Sequence, residues 1–311
     1  MRVLNKIMKK FLFIFNLLCA MSFAYELKIN SNLTTLKFYK QKLYIGTDKG
    51  EILEYSVQDK SLKELLSLPK IENYYGNDFA KIYSIDVFKD MLLILSEGNF
   101  GSKNLSFYDK NLQTKKLEEN SISKAFFINS NTYLLVSIGS EIELVDRNLT
   151  HIKRFKFSHS SLNDAVLSED KNKLVAGFES GEVELFDLSK WKILKNYDKI
   201  HKDNIYQVDF KNNTILSCGT DRRIGLIKNE EENFLQKDFL IYTCALSPNG
   251  NLAIYSDNEA GMSEVFDTNS LKLIKTFSNE KIMSEFIIFL NDKEFVLSGF
   301  GDKIIFRSID E

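Results

Sequence analysis

Beyond residue 24, apolar and polar positions alternate with a period of two in short runs. The runs are broken by Asn, Asp, Gly and Lys. Alternation on this scale predicts short antiparallel strands with one or both faces buried. One stretch shows the unit in full, with four such runs at 204–210, 214–218, 224–228 and 233–237. Helical patterning is absent outside the first 24 residues, which excludes stacked helical solenoids.

The unit repeats. Lys173-Leu-Val-Ala-Gly177-Phe-Glu-Ser-Gly181-Glu-Val-Glu-Leu-Phe-Asp187 and Lys42-Leu-Tyr-Ile-Gly46-Thr-Asp-Lys-Gly50-Glu-Ile-Leu-Glu-Tyr-Ser56 are its clearest copies. Third strands are predicted to end at Ser56, Asp109, Asp146, Asp187, Lys228, Asp267 and Ser308, with spacings of 53, 37, 41, 41, 39 and 41. Four strands per unit at this period is the arithmetic of a β-propeller blade, and the endings give seven units. The last unit, 282–309, has room for three strands, whereas 25–29 is an orphan alternating strand before the first unit. An open ring leaves two unpaired edges, so the orphan is expected to complete the seventh blade. The fold class is therefore all-β, one seven-bladed propeller over residues 25–311.

Composition agrees and adds a compartment. Of 311 residues 44% are hydrophobic and 27% charged, with 14 Gly and 2 Pro, which excludes disorder, collagen-like repeats and a multi-span membrane protein. Twenty-five Phe and 13 Tyr favour strands. Residues 1–24 read as an export signal: Arg2, Lys6, Lys9 and Lys10 precede an apolar run at 11–23, and Ser22 and Ala24 suit cleavage between Ala24 and Tyr25. The 13-residue run is short for an uncleaved anchor, and Leu18 before Cys19 does not suit lipidation. Cleavage removes four positive charges, leaving 37 basic against 43 acidic residues. The expectation is a mildly acidic periplasmic protein without a nucleic-acid surface, monomeric and not inserted in the membrane. Cys218 and Cys244 then remain; an oxidising compartment permits a disulfide between them, and two buried thiols are the alternative.

Chemistry is sparse. His151, His159 and His201 are the only histidines; His159 and His201 sit at equivalent positions one blade apart and suit structural hydrogen bonds better than a metal. Asp221-Arg222-Arg223 reads as a solvated turn or as a receptor for an acidic partner. The inner strands carry scattered Asp86, Asp164, Asp209 and Glu285 without a ligand cluster, and no phosphate loop or nucleophile elbow occurs. No enzyme, cofactor or metal is expected. The stretched interval places two insertions, at 69–80 and 97–103, on connections that leave one face of the ring. They are expected to bring Tyr74, Tyr75, Phe79 and Phe100 together as anchors for a protein partner, or else to plug the channel mouth.

Ile241-Tyr-Thr-Cys-Ala-Leu-Ser247-Pro-Asn-Gly250-Asn-Leu resembles the first strand and turn of a WD40 repeat, and 177–187 its second turn and third strand, with Phe186 in place of the signature Trp. His159 and His201 match the family's Gly-His histidine, although Ser158 and Ile200 replace the Gly. No Trp-Asp pair exists, and Trp191 follows Asp187, so the family's His–Ser/Thr–Asp–Trp network is incomplete. The signal and the single degenerate ring together resemble the accessory propellers encoded with periplasmic nitrate reductase. That resemblance implies a cofactor-free scaffold for assembly, maturation or electron supply of the reductase. A general envelope-assembly scaffold and a metal-dependent hydrolase working in the channel are the alternatives.

Overall fold

The computed structural model describes residues 24–157, 160–279 and 282–311. The predicted signal segment, apart from Ala24, and His159 lie outside them. Seven four-stranded antiparallel sheets form the chain. Blades 1 to 6 take their strands in chain order over 33–67, 82–116, 122–156, 162–197, 205–236 and 244–278. Blade 7 contains Phe286–Phe289, Glu294–Ser298 and Lys303–Ser308, and its outer strand is Tyr25–Lys28. The orphan strand runs antiparallel to the chain's end, with Tyr25 opposite Phe306 and Lys28 opposite Lys303. Ser56, Asp109, Asp146, Asp187, Lys228, Asp267 and Ser308 each end a third strand, as their spacing predicts.

The core is divided among the blade interfaces. Seven clusters of buried hydrophobic side chains each join two neighbouring blades, one cluster per interface. Alternation produces this directly, because successive side chains of a strand enter the interfaces on opposite sides of its blade. Blade 4 shows the division: Val183 packs toward blade 5, while Phe186 packs toward blade 3 with Phe157 and Phe178. At the closure, Leu27 and Ile29 share a cluster with Leu33, Leu43 and Ile304.

Three of the four acids expected on inner strands are staples between blades, whereas Glu285 lies exposed just before the inner strand of blade 7. Asp86 accepts the Phe127 amide at 2.9 Å, Asp164 the Val208 amide at 2.9 Å, and Asp209 the Leu246 amide at 2.8 Å. Each carboxylate thus holds the inner strand of the following blade. Asp86 also pairs with Lys37 at 2.8 Å and Asp164 with Lys124, so the charges compensate around the channel.

Blade 5 retains three members of the WD40-like network. Buried His201 meets Ser217 through Nε2 at 2.8 Å and Asp221 through Nδ1 at 3.0 Å. Asp221 also accepts the amides of Lys202 and Arg223. Burial raises its carboxyl, but the His201 ring and these amides together hold it below the usual range. Gly225 makes the room: a Cβ there would stand 2.2 Å from Ile200 and 2.5 Å from the Ser217 hydroxyl. This corrects the expectation of a solvated turn at 221–223. Asp221 and Arg223 are structural, and the Arg223 guanidinium donates to the Ile200 carbonyl at 2.6 Å while lying over Phe234. His151 is exposed but paired with Glu143 at 2.7 Å.

Cys218, on the second strand of blade 5, and Cys244, on the inner strand of blade 6, are both free and buried in one cluster. Burial and the adjacent Cys218 sulfur push the Cys244 thiol up. In this structure both side chains serve as small hydrophobes of the interface between blades 5 and 6.

Candidate interaction face

The two faces of the ring are built from different connections. Links from an outer strand to the next inner strand, and turns from second to third strands, leave one face; the remaining turns leave the other. The second set is short and polar, and Lys40–Gln41, Asn212–Asn213 and Asn229–Glu230 make tight turns with positive φ at both residues. The first set carries the irregular segments, including both insertions of blade 2.

Exposed large hydrophobics follow this division. Among the described residues, six lie on outer strands and eleven lie on the insertion face, with none on the turn face. One sector of the insertion face holds Tyr74, Tyr75, Phe79, Phe100 and Ile138. The other, on blades 5 to 7, holds Phe239, Leu240, Tyr242, Met262, Met283 and Phe300. Within the second sector, Tyr242 stacks on Tyr206 of the blade 5 inner strand with ring centroids 4.9 Å apart. Single exposed hydrophobics carry no meaning, whereas these concentrate on one side of the ring.

The two insertions meet. Residues 71–78 form a small hairpin, Ile71–Asn73 paired with Gly76–Asp78, and 99–101 make a single 3₁₀ turn. The Glu72 amide donates to Asn99 Oδ1 at 3.0 Å, and the Tyr74 and Phe100 rings lie 5.4 Å apart. Ile71 is buried beneath and anchors the hairpin. Of the four expected anchors, only Tyr74 and Phe100 touch as rings. Tyr75 projects from the hairpin tip, 99% exposed, and Phe79 packs beside Lys70, whose ammonium lies 4.8 Å from its ring centre. Tyr74 is 84% exposed, so the insertion stands away from the ring and does not plug the channel.

The second sector was not visible in the spacing. Its residues sit on connections of ordinary length, and Phe239-Leu240 looks locally like a strand fragment. The one available signal is that these apolar residues break alternation after a blade's fourth strand.

One buried group is chemically unusual. Glu184 on the third strand of blade 4 is buried, and its Oε2 has no hydrogen-bond partner among the described residues. Burial first, and the Glu182 charge second, raise its carboxyl from 4.5 to about 7. The equivalent Glu264 of blade 6 is met by Lys237 at 2.9 Å from the neighbouring blade; blade 3 offers Phe157 at that place. The neutral form of Glu184 is favoured in the fold, so its stabilisation is complete below pH 4.5 and is lost as pH rises through about 7. Glu184→Gln is expected to add about 2 kcal/mol at pH 8 and nothing at pH 4. Chemical denaturation at the two pH values checks this; equal effects at both would refute it.

No family model matches the chain, and no curated protein is detectably similar to it. Among solved structures it is similar to the β-propeller domain of Cps50 (Swd1) from Myceliophteria thermophila, with a TM-score of 0.72 and 14% identity. The match covers 91% of this chain and 99% of that domain. It supports a WD40-like propeller fold and carries nothing about activity.

Proposed function

We propose that the chain is a non-catalytic scaffold that docks other proteins on its insertion face. The confinement of eleven exposed large hydrophobics to that face carries this reading. Support comes also from the channel acids, which are engaged in holding adjacent blades together. Export, with cleavage between Ala24 and Tyr25, would place the ring in the periplasm. The resemblance to accessory propellers of periplasmic nitrate reductase points to reductase components as clients, and the neighbouring genes and co-purified proteins test that assignment.

A Tyr74→Ala, Tyr75→Ala, Phe100→Ala triple variant tests the face. Each exposed aromatic anchor contributes on the order of 2 kcal/mol at an interface and almost nothing to a fold it barely touches. The expected result is loss of the proteins that co-purify with the wild type, at an unchanged melting temperature. Retained clients with a lower melting temperature would show that the aromatics serve the fold instead.

A further inference from the structure

Resting on the docking reading, we propose that the 71–78 hairpin receives its partner by strand addition, pairing its free edge with an extended polypeptide segment. The backbone geometry gives the reason. Asn73 and Gly76 close a two-residue turn, and Ile71 faces Asp78. In that register Asn73–Gly76 and Ile71–Asp78 exchange hydrogen bonds within the hairpin, while the N–H and C=O of Glu72 and Asn77 point outward, one residue on each edge. On the Glu72 edge, Asn99 takes the amide at 3.0 Å. On the other edge Asn77 is exposed, and its amide and carbonyl have no partner among the described residues.

The edge is also held in shape. Asn73 Oδ1 accepts the Tyr75 amide at 2.8 Å, and Asn73 Nδ2 donates to Asp78 at 3.0 Å. A Cβ at Gly76 would meet nothing within 4 Å, so an incoming backbone finds open space beside it. An outward donor and acceptor on one residue match one residue of an antiparallel strand. Alternate side chains of that strand project to opposite sides of it, and the exposed Tyr74, Tyr75 and Phe100 around the hairpin would favour apolar residues at every second position. The hairpin is preorganised, so only the partner segment loses freedom on docking.

Asn77→Pro isolates the claim, because it deletes the outward N–H and none of the hairpin's own bonds; Asn77→Ala removes the side chain alone. The probe is a displayed library of random twelve-residue peptides selected on the wild-type protein. The expected result is enrichment of peptides with apolar residues at alternate positions. Their affinity should fall at least tenfold in Asn77→Pro and change less than threefold in Asn77→Ala. In the unmodified protein, amide exchange at Asn77 should slow when such a peptide binds. Failure to enrich any peptide, enriched peptides that bind Asn77→Pro equally, or unchanged exchange at Asn77 would each overturn strand addition. A dimer in light scattering that Asn77→Pro abolishes would overturn it too, by assigning the edge to a second copy of the chain. Clients lost by the Tyr74/Tyr75/Phe100 variant yet kept by Asn77→Pro would reject strand addition and leave the docking face standing.

Discussion

A chain starting after residue 29 is expected to melt roughly 10 °C or more below one starting at Tyr25. The missing segment buries Leu27 and Ile29 in the cluster that joins blades 7 and 1 and covers Phe306 with the Tyr25 ring at 5.5 Å. Losing two buried aliphatic side chains costs about 2 kcal/mol or more each, and the strand's ladder with 303–306 goes with them. At roughly 2 °C per kcal/mol for a chain of this size, the shift is large. The Lys303–Ser308 strand would also become an open edge, so the shortened chain should aggregate sooner on heating. Melting within about a degree of the longer chain would show that the ring does not depend on this closure.

Asp86→Ala should cost about 2–4 kcal/mol, the largest effect of any single side chain in the channel. Its carboxylate is buried, accepts the Phe127 amide, pairs with Lys37 at 2.8 Å and lies 3.9 Å from Lys171. Removing it orphans the amide and deprives the Lys37 and Lys171 ammonium groups of the carboxylate they share. Lys37 is partly exposed, which keeps the loss below that of a fully enclosed pair. Asp86→Asn keeps an acceptor for the amide and should recover part of the loss. Thermal denaturation of the two variants decides it, and an alanine variant as stable as the wild type would mean that the staple contributes nothing.

Blade number, strand order and closure were legible because each rests on a local pattern. Alternation gives strands, the third-strand endings give the period, and the surplus strand at 25–29 answers the deficit at 282–309. The roles of polar residues were not legible, because they depend on what lies one blade away. Asp86, Asp164 and Asp209 look scattered in sequence, yet each reaches an amide about forty residues on. Asp221 and Arg223 look like turn residues, and only the packing of His201 against Gly225 shows why they are buried. For the candidate face, the insertion lengths located Tyr74 and Phe100. The hairpin at 71–78 was hidden because three-residue strands carry too little alternation to detect. The second apolar sector was hidden because blades 5 to 7 carry no extra length.

Photo-crosslinking in the cells that make the protein tests the docking face most directly. A benzoylphenylalanine replaces Tyr75 at the hairpin tip, Phe300 in the second apolar sector, or Asn131 in an exposed turn of the opposite face. Crosslinked protein adducts from positions 75 and 300, with none from 131, are the predicted result. Adducts from 131 alone, or equal yields from all three positions, would contradict a partner surface confined to the insertion face.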